Sequence, residues 1–159
     1  EYEKLYRESV SHRGTVTIGK PLLHDEKSTK ALADVFVKQY DDLPTLFVGH
    51  GSKHPAGRLY GVLAESLLEK CMSPMFVGLL DGKPDFNDAV NWIIQNQIRQ
   101  LRLVPLMMSA GKHVHNEIIG DSAQTWRTKL ENIGIGVYPI HHGLLDNARI
   151  KDIILSKIL

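Results

Sequence analysis

Short apolar runs alternate with longer amphipathic stretches along almost the whole chain, and that alternation leaves few architectures open. Thr15 to Gly19 is a short β-rich run closed by Gly19-Lys20-Pro21. Ser28 to Tyr40 places Leu32, Val35 and Phe36 at helical spacing, and Thr45 to Val48 reads as a second strand ending in Gly49-His50-Gly51. Pro55 suits the first turn of a helix, where its missing N–H is harmless. That helix carries Leu59, Val62, Leu63, Leu67 and Cys71 on one face. Met75 to Leu80 is a third strand, followed after Asp81-Gly82 by a helix with Phe86, Ala89, Val90, Ile93 and Ile94 on one stripe. Leu101 to Met108 is a near-continuously apolar fourth strand. Asp121 to Asn132 reads as a helix stopped at Gly134, Ile135 to Ile140 as a fifth strand, and Ala148 to Ile158 as a last helix. Strand and helix in strict turn predict an α/β fold, with a parallel sheet of four to five strands flanked by helices on both faces. Unbroken apolar strands such as Met75 to Leu80 fit a sheet buried on both sides. Pro105 and Pro139 work against two of these strands, because proline cannot donate to a central ladder.

At 159 residues the chain fits one domain, and roughly 70% of its unfolded surface can be buried. Hydrophobic residues at 43% and charged residues at 23% exclude a disordered tail, a collagen-like fibre and a disulfide scaffold. Nineteen basic against eighteen acidic residues give a net charge of +1, which is no footprint for nucleic acid. No apolar run is long enough for a membrane span, and Glu1 to Ser11 lack the apolar core of a signal peptide. Cytoplasmic location is therefore expected. Residues 1–14 read as a polar lead-in and 15–159 as the single α/β domain. The start at Glu1 instead of Met reads as processing or as part of something longer. Cys71, the one cysteine, reads as a core filler.

Against one cysteine stand eight histidines, so any metal site here is built of imidazole and carboxylate and not of thiolates. In open α/β sheets ligands bind outside the carboxyl ends of the strands. Three successive strands deliver His50, Asp81 and His113 to that edge, with Gly49, Gly51 and Gly82 adjoining the first two and Gly111 two residues before the third. One histidine at one strand end is usually only a loop residue. Three groups at adjacent strand ends make a candidate site for Co²⁺, Ni²⁺, Fe²⁺ or Zn²⁺, and three ligands leave coordination positions open. His54 beside the helix start can contact a ligand or help cap the helix. His115, two residues past His113, can support the site or simply be exposed, His141 and His142 follow the fifth strand and can reach the same edge, and His12 and His24 read as surface residues. Lys53, Arg58, Lys83 and Lys112 lie near it and would suit a substrate with several carboxylates, though loop lysines are ordinarily just solvated. There is no phosphate-binding G-x-x-x-x-G-K-[ST] loop and no strand-borne G-x-G-x-x-G, so no nucleotide is expected.

Beyond spacing, the stretch Phe47-Val48-Gly49-His50-Gly51-Ser52, with His54-Pro55-Ala56 and Tyr60, resembles the M-G-H-G-T-x-H-P-A signature of the anaerobic cobalt chelatases. Gly19-Lys20-Pro21-Leu22-Leu23 resembles the G-K-P-L-L entry to that family's second half. Val104-Pro105-Leu106-Met107-Met108 with Ala110-Gly111-Lys112-His113 resembles its P-x-M-x-x-A-G-D-H segment. Gly120-Asp121 with Trp126 resembles G-D-x-x-x-S-W, and His142-Gly143-Leu144-Leu145 the closing K-G-L-G-E. The resemblance runs from Thr15 to near the end, and the family carries a proline where Pro105 stands. It implies a metal held by His50, Asp81 and His113. It also implies two similar α/β lobes with a tetrapyrrole between them, of which this chain resembles the second. The missing first lobe and the tetrapyrrole are thus expected partners, and a homo-oligomer is left open. The family works in the cytoplasm and sometimes in the periplasm. Four departures stand out: Asp81 replaces Glu, Lys112 replaces Asp, Leu145 replaces Gly and Asp146 replaces Glu. Asp81 shortens the ligand arm by about 1.5 Å, one C–C bond.

The activity so implied is insertion of a divalent metal, Co²⁺ first and Ni²⁺ or Fe²⁺ as alternatives, into sirohydrochlorin. His50 and His113 would be catalytic, with Asp81 as the third metal ligand. Ser52, Lys53, His54, Arg58 and Lys112 would meet the substrate carboxylates. Two other readings stay open: a lobe that binds metal or tetrapyrrole without turnover, and a metal-dependent hydrolase, for which no motif speaks.

Overall fold

The computed structural model describes residues 19–156. Its elements follow in the order α1 (Glu26–Tyr40), β1 (Thr45–Gly49), α2 (Leu59–Lys70), β2 (Met75–Leu79), α3 (Phe86–Gln95), β3 (Gln100–Pro105), α4 (Trp126–Asn132), β4 (Gly136–Pro139) and α5 (Ala148–Leu155). A 3₁₀ turn, Pro55–Arg58, leads into α2, a π turn spans Val114–Ile119, and a second 3₁₀ turn spans Leu144–Asp146. The lead-in at 1–14, His12 and the Thr15 to Gly19 run apart from its last residue lie outside the described residues.

The four strands form one sheet, ordered β2-β1-β3-β4, and every pairing is parallel. Side chains alternate across it as the pleat requires. Phe47, Met75, Val77 and Val104 face α1, α2 and α5 through Leu32, Phe36, Leu63, Leu67 and Ile150. Leu46, Val48, Leu101 and Leu103 face α3, the π turn and α4 through Ala89, Ile93, Ile118, Trp126 and Leu130. The helix sides follow from handedness. The step from β1 to β2 runs one way along the sheet, while those from β2 to β3 and β3 to β4 run the other. Right-handed crossovers therefore put α2 on one face and α3 and α4 on the opposite one.

Both prolines sit where no donor is needed. The amides of Arg102 and Leu106 donate to Pro44 and Val48, each at 2.8 Å, so position 105 points its nitrogen toward β4. The β3–β4 pairing stops at Leu103–Pro139. In β4, Gly136 and Ile140 donate to Arg99 and Leu103, each at 2.9 Å, and the nitrogen of Pro139 points off the sheet edge.

Several element boundaries differ from the sequence expectation by a few residues, and two of the differences bear on the ends around the site. The fourth strand ends at Pro105 instead of continuing to Met108. Beyond it, the carbonyls of Met107 and Met108 accept from Leu144 (2.8 Å) and Leu145 (3.0 Å), which ties the segment after β4 to the segment after β3. The helix expected from Asp121 begins only at Trp126. Thr125, fully buried, caps it by accepting from the Thr128 amide, and its hydroxyl lies 2.8 Å from the Gly120 carbonyl.

Candidate metal and tetrapyrrole site

The strand order reverses direction between β1 and β3: the chain leaves β1 for β2 on one side and later returns to β3 on the other. A crevice opens at such a point, outside the carboxyl ends of the two diverging strands. His50 is the first residue after β1, and the segment after β3 carries His113. The two imidazoles meet there with ring centroids 5.8 Å apart and planes at 77°. Rings sharing an ion at metal–nitrogen distances of about 2.1 Å have centroids about 5–6 Å apart. Both side chains are exposed at the crevice.

The turn that carries His50 is tightly constrained. Gly51 has φ +92°, and a Cβ there would run into the Asp81 carbonyl oxygen. Around it the Leu80 amide donates to Gly49 (2.9 Å) and the Asp81 amide to His50 (2.8 Å), extending the β1–β2 ladder past the strand ends. On the other side, a Cβ at Gly49 would lie 2.6 Å from the Tyr60 ring. Burial pushes the Tyr60 phenol above its ordinary pKa, partly offset by the Gly51 backbone. His50 therefore sits on a backbone fixed from two sides, by β2 and by α2.

His113 immediately precedes the π turn, and its Nδ1 lies 3.0 Å from Glu117 Oε1. Glu117 is absent from the residues read off the sequence. The sequence signal that points to it is its spacing of four residues from His113, which puts the two side chains on one helical face.

Asp81 is placed differently from the histidines. Its backbone adjoins His50 and Gly51, but its exposed side chain follows β2, one strand farther from the crevice. Among the described residues no three His, Cys, Asp or Glu side chains form a group able to hold a metal ion. The arrangement thus brings together two of the three expected ligands.

The residues expected to meet substrate carboxylates lie on the segments that follow β1 and β3. Ser52 Oγ accepts from the His54 amide at 3.1 Å, and the His54 carbonyl accepts from Gly57 at 2.7 Å, so both shape the turn leading into α2. Lys53 and Lys112 are exposed on the two segments flanking the crevice. Arg58 leans toward the start of α1, where it pairs with Glu26 at 3.4 Å. Lys83 is drawn to Asp85 (2.7 Å) and Asp88 (3.0 Å) at the start of α3. His115, His141 and His142 are exposed, and His24 precedes α1. Beside Tyr60, a pocket of about 130 Å³ is lined by apolar side chains including Leu22, Leu63, Leu106 and Met108.

Comparison with known proteins shows the family of the chain. The cobalt chelatase (CbiK) family matches residues 1–159. The chain belongs to the cobalt chelatase family. It is 27% identical to the sirohydrochlorin cobaltochelatase of Salmonella typhimurium, over 99% of this chain and 62% of that protein. It is 27% identical to the sirohydrochlorin cobaltochelatase CbiKC of Nitratidesulfovibrio vulgaris, over 89% of this chain and 52% of that protein. The chain thus spans little more than half the length of these relatives. Among solved structures, a multi-domain Deinococcus radiodurans protein with structural similarity to chelatases superposes with a TM-score of 0.57 at 17% identity. The match covers 93% of this chain and 35% of that one, and it supports the fold alone.

Proposed function

We propose that this chain is the second lobe of an enzyme that inserts a divalent metal, Co²⁺ in the first place, into sirohydrochlorin on the way to cobalamin-type cofactors. The observation that carries the reading is the His50–His113 pair, 5.8 Å apart at the switch point of the sheet, in a chain of the cobalt chelatase family. Metal insertion exchanges two pyrrole N–H protons for one divalent ion. A neutral imidazole can both accept a proton near neutral pH and ligate a borderline metal. In this reading His113 takes pyrrole protons and, with His50, presents the ion. Asp81 balances its charge through an intervening water or by turning inward. Two imidazoles grip such ions less firmly than thiolates, which suits a site that must release its metal.

Ser52, Lys53, His54, Arg58 and Lys112 would face the carboxylates around the macrocycle, Arg58 exchanging Glu26 for substrate. The remaining length of the relatives would supply the lobe that closes over the strand ends. Fe²⁺ and Ni²⁺ accept the same ligands. No helix among the described residues is long and apolar enough to cross a membrane, and work in the cytoplasm is part of the proposal.

The test is His113→Ala in the full-length context, with cobalt insertion into sirohydrochlorin followed by absorbance. The expected result is a loss of about 10²-fold or more, the scale of a removed proton acceptor; a wild-type rate would overturn the role. A second reading, a lobe that binds without turnover, is favoured by the lack of a three-ligand group among the described residues. It predicts that sirohydrochlorin stays bound and unmetallated in the presence of Co²⁺.

A further inference from the structure

The π turn after His113 has a consequence for which nitrogen of that ring faces the crevice. With α-helical periodicity, the residues one turn beyond Val114 on the buried stripe would be 117 and 118. A carboxylate at 117 would then point into the apolar layer against the sheet. The i→i+5 bonding of a π turn moves that stripe on by one position. The residues buried with Val114 are accordingly Ile118 and Ile119, at 1%, 0% and 0% exposure. Glu117 is left half-buried on the rim, directly beside His113, with 3.0 Å between Oε1 and Nδ1. The turn is held in that form from below: the Arg127 guanidinium reaches the Ile119 carbonyl at 3.4 Å, Asp121 at 2.9 Å and, through Nε, Glu131 at 3.0 Å.

A carboxylate oxygen can only accept, so Nδ1 must be the protonated nitrogen of the neutral ring. The other nitrogen, Nε2, then carries the free lone pair. We propose that Glu117, lifted out of the buried stripe by the π turn, is a positioning residue that holds His113 in its Nδ1–H tautomer. Nε2 is thereby the atom that meets the metal ion or the pyrrole proton. The role assigned to Nε2 rests on the proposed chelatase function, whereas the tautomer itself does not. Removing such an outer partner of a histidine ligand typically costs about 10–100-fold in metal affinity.

Two measurements on the full chain test this. The first is the ¹⁵N spectrum of histidine-labelled, metal-free protein at alkaline pH, where an ordinary imidazole is neutral. The second is titration with Co²⁺ alone, read by its visible absorption. Wild type should show His113 as Nδ1–H. Glu117→Ala should move the ring toward Nε2–H and weaken Co²⁺ binding about 10–100-fold. Glu117→Gln, whose amide oxygen still accepts, should keep the Nδ1–H tautomer and recover most of the affinity. An unchanged tautomer and affinity in Glu117→Ala would overturn the proposal, as would Glu117→Gln behaving like Glu117→Ala. A wild-type protein with both lobes that shows the tautomer and binds Co²⁺ but never metallates sirohydrochlorin would sink the function and support the positioning.

Discussion

Gly51 illustrates how much of the site depends on one residue. Its φ of +92° lies in the left-handed region, and the Asp81 carbonyl occupies the space a side chain would need. Holding a non-glycine residue there costs about 1–3 kcal/mol before the clash is relieved. Relief would push β1's end away from β2 and carry His50 with it. Gly51→Ala should therefore lower the urea midpoint and weaken Co²⁺ binding together. A variant with wild-type values for both would mean that the turn is not what holds His50. Glycines on both sides of His50 were legible in the sequence as tight-turn residues. Which neighbour demanded each was not, because Asp81 and Tyr60 approach from separate elements.

At the level of elements, the strand and helix pattern was readable because both periods are local properties of the chain. The errors came where side chains override the pattern. Asp121 to Thr125 carries no apolar conflict with a helix, yet the buried Thr125 hydroxyl caps α4 and bonds the Gly120 carbonyl instead. A loop over 120–125 therefore separates the π turn from a short helix. Thr125→Val keeps the shape and removes the cap, and should cost about 1–2 kcal/mol. In thermal melts that is a fall of about 2–8 °C; an unchanged melting temperature would show that α4 needs no cap. The π turn itself was missed because Val114 and Ile118, four apart, fit an ordinary helix, and only the burial of Ile119 beside them marks the wider turn.

Across the whole molecule, the sheet ends opposite the site are tied by charge. Arg102, on the central strand β3, meets Asp42 at 2.9 and 3.1 Å and lies 5.2 Å from the centre of the Tyr40 ring. The hydrogen bond from Arg102, helped by one from the backbone, holds the Asp42 carboxyl below its ordinary value of 3.8. A carboxyl lowered in the folded state favours folding above its unfolded value. That contribution is lost as pH falls through the lower folded value. Asp42→Asn should therefore flatten the decline of the urea midpoint between about pH 5 and pH 3. An identical acid decline in both proteins would exclude the pair as a contributor.

Local patterning was enough to establish the α/β class, the placing of His50, Asp81 and His113 after strands, and the family likeness of the motifs around them. It could not establish strand order, which depends on crossover direction and on which helices pack across which face. That order puts the reversal between β1 and β3, and so brings His50 and His113 to one crevice while leaving Asp81 a strand away. The partner of His113 was hidden for the same kind of reason. The spacing of four between His113 and Glu117 suits any helical turn; that Glu117 stays at the rim while Ile118 and Ile119 are buried against the sheet is decided by tertiary packing.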